Sequence, residues 1–257
     1  MPGTSPDISS APSPETTFGL IACDVFSEEI EAFASLQGPR WRTFQLLEMG
    51  LHDQPDRLRR DIENRIGEME ADAEIQAIAL AYGRCGNGLV GVSAGKVPLV
   101  LPQAHDCISI FLGGKDRQDA LLRDNPGTYF YSPGWVREKR VPGPNREAWL
   151  RELYGERFDD DEEMIEDLVE ADREMFSHHN CAAYVSITDS PKAREYCRDC
   201  ANFLGWKHHE PSCEEGFLHA LLSGNWQNDR RFVIVRPGEK IGADADGLLI
   251  AEPSTAS

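Results

Sequence analysis

The chain has 257 residues, 40% of them hydrophobic and 27% charged, the make-up of a soluble globular protein with length for one large domain or two small ones. Its 44 acidic against 26 basic side chains give a formal charge of −18, which opposes sequence-independent binding of nucleic acid through repulsion of phosphate. No run reaches the roughly 18 apolar residues of a membrane helix, so neither nucleic acid nor a membrane is an expected partner.

Met1 to Thr17 is rich in Pro, Ser and Thr and has no basic start followed by an apolar stretch; it is not a secretory signal and is expected to be a disordered arm. Phe18 to Cys23 reads as a short apolar strand, Glu28 to Leu36 as a helix and Phe44 to Leu47 as a second strand. In Pro55 to Met69 the apolar Leu58, Ile62 and Ile66 recur every four residues, which predicts an amphipathic helix. Ile75 to Tyr82 and Leu99 to Pro102 read as buried strands, with a glycine-rich loop at Gly86 to Gly95 between them. Ile108 to Leu112 continues as an apolar segment, and Lys115 to Arg123 as a helix closed by Asn125-Pro-Gly127. Tyr129-Phe-Tyr131 has strand character, broken by Pro133-Gly-Trp135. Glu147 to Met175 is expected to be helical with an interruption near Gly155. A strand at Ala182 to Ile187, helices at Pro191 to Leu204 and Gly216 to Ser223, and a last strand at Phe232 to Val235 complete the pattern.

Strands alternating with helices predict an α/β fold, a mostly parallel sheet of about five or six strands flanked by helices. The expected organisation is one domain over residues 18–241, with a lobe boundary left open within 136–180, followed by a mobile tail over 242–257. Seven cysteines are an odd number in a chain of this length, which favours reduced thiols and a cytoplasmic setting over a disulfide framework.

The chemistry concentrates where strands end. In open α/β sheets, ligands bind in the crevice at the carboxyl ends of the strands. Cys85-Gly-Asn-Gly88 follows one predicted strand and His105-Asp-Cys107 the next. On an extended segment His105 and Cys107 would point to the same side, so with Cys85 they form a candidate metal site. Zinc suits this mixture of sulfur and nitrogen, and three protein ligands leave an open fourth position; iron is the alternative metal. Cys23, at the end of the first strand, is a candidate fourth ligand, and His178-His-Asn-Cys181 is another source. Buried cysteines that simply pack are the competing explanation.

Around these ligands, His52, Asp53 and Asp106 are candidate bases, with Asp53 equally suited to capping the helix at Pro55 and Asp106 to accepting the imidazole N–H. Tyr82 is a further catalytic candidate. Gly86, Asn87 and Gly88 lack a nucleotide fingerprint and fit close approach of backbone to a small ligand. Tyr129, Tyr131 and Trp135 can line a cage for an alkylated cation, or pack as core. Cys197-Arg-Asp-Cys200 has knuckle spacing but lies in an apparent helix with no second pair nearby. The acidic stretch from Arg157 to Glu174, with Asp159-Asp-Asp-Glu-Glu163, reads as a solvated helix face or a docking surface for a basic partner.

Gly50-Leu-His-Asp-Gln-Pro55, Tyr82-Gly-Arg-Cys-Gly-Asn-Gly88, Pro102-Gln-Ala-His-Asp-Cys107, Gly127-Thr-Tyr129, Ser132-Pro-Gly-Trp135, Gly224-Asn-Trp226 and Val235-Arg-Pro-Gly238 together resemble the landmarks of an uncharacterised family, domain of unknown function 1638. The resemblance runs from about Phe18 to Ile241, and its Cys-Gly-Asn-Gly and His-Asp-Cys pieces are the most specific. Members are often encoded beside corrinoid-dependent methyltransferases for methylated amines, which implies one-carbon metabolism and a corrinoid protein or methyltransferase as partner. The His-x-Cys spacing is also similar to that of zinc methyltransferases that alkylate a thiol. The expected function is therefore zinc-dependent methyl transfer through a metal-activated thiol, on a small methylated or amine-containing compound. A metal-dependent hydrolase or lyase, and a non-catalytic metal-binding accessory protein of a corrinoid system, are the rivals.

Overall fold

The computed structural model of the chain describes residues 15–159 and 161–254. Most of the expected arm, residues 1–14, lies outside these, as do Asp160 of the acidic stretch and the last three residues of the expected tail. The chain forms two compact units, one from residues 15–117 with 214–254, the other Gln118–Cys213. The second is therefore an insertion in the first, and its limits fall outside residues 136–180.

The first unit is built on strands β1 (Phe18–Cys23), β2 (Trp41–Leu47), β3 (Ala77–Ala81), β4 (Leu99–Pro102) and β8 (Phe232–Val235), in spatial order β2-β1-β3-β4-β8. The first four are mutually parallel and β8 runs antiparallel to β4. This is the mostly parallel, helix-flanked sheet expected from the sequence. Because β2 lies on one side of β1 and β3 on the other, the order reverses between β1 and β3, the topological switch point where such sheets bind ligands.

Period two divides β3 between the faces. Ile78 and Leu80 join a buried cluster with Leu58, Ile62, Ile66 and Met69 of helix α2 (Pro55–Met69), whose first helical position is the proline. The alternate Ala77, Ala79 and Ala81 are also fully buried, and their small size admits helix α9 (Glu215–Ser223) close to the strand. Helix α1 (Ser27–Gln37) packs with α9, and the rings of Phe18 and Trp226, 4.9 Å apart, fix the bottom of that layer. Burying the four apolar residues of α2 contributes about 1.5–3 kcal/mol each.

Two local findings differ from the sequence reading. Ile108 to Leu112 belongs to a short helix, α3 (Cys107–Leu112), capped by Asp106, whose carboxylate accepts from the Ser109 N–H at 2.9 Å. The expected tail instead contains an antiparallel pair, β9 (Glu239–Ala243) and β10 (Leu249–Pro253), with Ile241 and Leu249 in the cluster under α2. That hairpin is stitched to the glycine-rich loop: the Gly91 N–H donates to the Ile241 carbonyl at 2.8 Å and the Ile241 N–H to the Val92 carbonyl at 2.8 Å. Helix α4 (Lys115–Asp124) runs across the unit boundary.

The second unit has a parallel sheet of β5 (Thr128–Tyr131), β6 (Cys181–Tyr184) and β7 (Lys207–His209), in that order. Pro133 does not merely end β5; with Ser132 as N-cap it starts the short helix α5 (Pro133–Arg137). The long helical region is divided into α6 (Arg146–Arg157) and α7 (Glu162–Met175), and α6 continues through Gly155. Arg146 and Asp172 join these two helices by a two-pronged ion pair at 2.6 and 2.7 Å. The acidic face of α7 is further tied to α6 by Arg151–Glu166 and by Arg173–Glu147. Helix α8 (Pro191–Leu204) closes the unit, with Cys197 and Cys200 both fully buried.

Candidate functional site

The expected residues of the first unit do gather at one edge of its sheet. Cys23 is the last residue of β1, Tyr82 follows β3, and Pro102 ends β4 just before His105. The segment after β3 is held to the segment after β4 by backbone bonds, from the Arg84 N–H to the Ala104 carbonyl at 2.9 Å and from the Cys85 N–H to the His105 carbonyl at 3.2 Å. Gly83 makes this junction possible, because a Cβ on it would lie 2.6 Å from the Asp106 nitrogen and 2.7 Å from its Cα.

Cys85, Gly86 and Asn87 all have positive φ, at 45°, 62° and 69°. This left-handed turn suits glycine, and asparagine tolerates it, but a cysteine there costs roughly 1–2 kcal/mol. Gly86 also brings the loop against the carbonyl oxygen of His52, 2.7 Å from where a Cβ would sit. The glycine-rich loop is thus a strained turn that carries Cys85 between the ends of β3 and β4. Strain of this kind clusters at functional sites.

Burial pushes the Cys85 thiol up, and the nearby Cys23 thiol and Asp106 carboxylate push it further, beyond the range in which a thiolate forms in neutral solution. Burial and the same two thiols raise the Tyr82 phenol as well. The Tyr82 hydroxyl is buried, and Cys23 is the side chain it meets. Cys23, Tyr82 and Cys85 therefore form one cluster at the switch point, the phenol buried and the two thiols half-buried.

His105 is 46% exposed, its Nδ1 3.4 Å from Asp106 Oδ2 and its Nε2 3.4 Å from Arg84 Nη2. The premise that placed His105 and Cys107 on one side of an extended segment fails, because Cys107 is the first residue of α3 and Asp106 its cap. Asp106 does sit beside the imidazole, as a partner that orients it. Asp53 does not cap α2, whose N-cap is Gln54; Asp53 is exposed, 3.5 Å from His52 Nε2 in a single turn at Leu51–Asp53. Gly88 lies against Leu58, so the loop also rests on α2. Among the described residues no three His, Cys, Asp or Glu stand grouped as a ready metal site.

The aromatic candidates belong to the second unit. Tyr131 is fully buried in its core and donates to the Pro142 carbonyl at 2.7 Å. Tyr129 packs edge-on against Tyr131, Phe176 and His179, and Trp135 packs on the same core. His178 and Cys181 are in that unit too. Arg84, to which the sequence reading gave no role, stands within the site of the first unit.

None of the seven cysteines is in a disulfide among the described residues, and no described helix is long and apolar enough to cross a membrane. No curated protein and no solved structure matches the chain. A family model described as a protein of unknown function (DUF1638) matches residues 46–222, which include Cys85, His105, Cys107, Arg84 and Tyr82. The chain belongs to this family.

Proposed function

We propose that the protein is a cytoplasmic zinc-dependent enzyme acting on a small methylated or amine-containing compound in one-carbon metabolism, by methyl transfer at a sulfur. The observation that carries this reading is Cys85, held at φ 45° where glycine would be free of strain, with its thiol beside Cys23 at the switch point. A side chain kept at that cost is there for its chemistry.

The residues fit zinc by donor type. Cys23, Cys85 and Cys107 offer sulfur and His105 nitrogen, and burial with the nearby Cys23 and Asp106 pushes the Cys85 thiol up. Zinc bound there supplies the charge that holds a sulfur as thiolate at neutral pH. Coordination would require side chains to turn, since three donors are not grouped at rest. Asp106 orients His105, and the Tyr82 hydroxyl lies against Cys23 in the same cluster. The same resting arrangement favours one second reading, an accessory protein that takes up metal only with its corrinoid partner.

Metal content decides between them. Elemental analysis of protein purified without an affinity tag is expected to give about one zinc per chain, lost in both Cys85→Ser and Cys107→Ser. Zinc retained in both variants overturns the ligand assignment, and iron in its place redirects the chemistry to redox reactions. Cys85→Gly separates site from fold: relief of the left-handed strain offsets lost packing, so its stability should stay within about 1 kcal/mol of the parent while its zinc is lost.

A further inference from the structure

We propose that Arg84 binds a carboxylate group of the small molecule taken up at this edge, so that the substrate is a carboxylic acid. This rests on the reading of the edge as a small-molecule site, and not on the metal.

A partly buried guanidinium is normally compensated by a carboxylate, because a charge withdrawn from water without a partner is costly. Two other partly buried arginines are compensated in this way. Arg146 is gripped at two points by Asp172, and Arg231 is paired with both Asp229 and Glu214. Arg84 is partly buried and has no carboxylate partner among the described residues. Its Nη1 donates to the Gly247 carbonyl at 3.3 Å, its Nη2 lies 3.4 Å from His105 Nε2, and its Nε is buried with no partner. In a chain carrying 44 acidic side chains, a guanidinium lacking one points to a charge supplied from outside. The nearby Asp106 already accepts from Ser109 N–H and Oγ through Oδ1 and faces His105 through Oδ2.

The geometry narrows the anion. The Nε–H and one Nη2–H of a guanidinium point the same way along one edge, and that two-pronged edge matches the two oxygens of a carboxylate. In Arg84 it is this edge that is poorly used, with Nε unpartnered and Nη2 at the long limit of a hydrogen bond. The opposite Nη1 is anchored on the turn of the β9–β10 hairpin. The backbone is fixed as well, through the bond from Arg84 N–H to Ala104. The fork is therefore placed next to Cys85 with its binding edge unspent. One fork neutralises one negative charge, which favours a carboxylate over a phosphate dianion.

The test is a ligand-observed NMR titration of the full chain, both treated with chelator and loaded with zinc. The probes are acetate and glycine, their amides acetamide and glycinamide, and inorganic phosphate. Both acids should bind in either metal state, at least about 10-fold more tightly than their amides. Arg84→Gln should weaken acetate binding about 10- to 100-fold, and Arg84→Lys, which keeps the charge and loses the fork, should restore only part. Equal binding of acid and amide, binding of phosphate alone, no binding of any probe, or unchanged affinity in Arg84→Gln overturns the proposal. Should Arg84→Gln fail to fold by circular dichroism, the contrast between acid and amide on the parent protein decides. Carboxylate binding by protein that takes up no zinc would leave this assignment standing and remove the metal from the proposed function. Zinc uptake without carboxylate binding would do the reverse.

Discussion

Replacing Asp172 by alanine is expected to destabilise the protein by about 3–5 kcal/mol, because it strands the Arg146 guanidinium without its counter-charge. The side chains of the pair are only 13% and 11% exposed, so water cannot take the carboxylate's place. Arg146 also donates to the Arg140 carbonyl and stacks on Phe176, its guanidinium carbon 4.8 Å from the ring centre; those contacts hold the charge in place after its partner has gone. Replacing both partners with apolar residues, as in Arg146→Met with Asp172→Leu, should recover most of the loss. Urea denaturation followed by circular dichroism measures both. A single-variant loss under about 1 kcal/mol would mean that the pair behaves as a solvated surface bridge.

Gly83→Ala should have the second large effect, and for a different reason. Its new Cβ would meet the backbone of Asp106 at 2.6 to 2.9 Å, and backbone cannot swing aside as a side-chain tip can. The segments after β3 and β4 would have to separate, stretching the bonds from Arg84 and Cys85 to Ala104 and His105. Overpacking of this kind costs about 1–3 kcal/mol, sometimes more, and for a protein of this size each kcal/mol lowers Tm by about 2–4 °C. The same substitution at Gly67, exposed in the last turn of α2 with nothing within 4 Å of its Cβ position, should stabilise by about 0.5–1 kcal/mol. Opposite signs for the two alanines in one thermal-melt series would identify close approach at Gly83 as the cause. A Gly83→Ala variant as stable as the parent would show that the junction is slack.

The elements legible in the sequence were those with both a periodic face and a marked end. Helix α2 opens on Pro55 and repeats Leu58, Ile62 and Ile66; helix α8 lies between Pro191 and Gly205. Helix α3 escaped because its residues Cys-Ile-Ser-Ile-Phe-Leu are nearly all buried, which leaves no polar face to set a period. Its signal was the cap, Asp106 three residues before Ser109, a pattern that also fits a strand end. Strand β7, Lys-His-His, is too short and polar to be seen without its neighbour β6. Strands β9 and β10 are half-buried and are identified by the loop they pair with.

At the site, Cys23, Tyr82, Cys85 and His105 could be placed because each stands at the end of an apolar run, and parallel strands bring such ends to one edge. Arg84 could not. In sequence it is one more surface charge between a glycine and a cysteine; its significance lies in which carboxylates the fold keeps away from it, and only the tertiary structure settles that. The left-handed turn at Cys85 was hidden for a related reason, since Cys-Gly-Asn-Gly allows positive φ without requiring it at the cysteine.

The hairpin of β9 and β10 has a bearing on how the protein is made. Ribosomes deliver the chain from its amino end, so the thiols, the imidazole and Arg84 emerge well before residues 239–253, which brace the glycine-rich loop and supply the Gly247 carbonyl to Arg84. Strand β8, which completes the sheet, also comes after the entire inserted unit. Pairings distant in sequence are the ones that finish this edge of the sheet, and such contacts form late and slowly. A nascent chain would therefore hold Cys23, Cys85 and Arg84 in an unfinished sheet until residues 239–253 had been made.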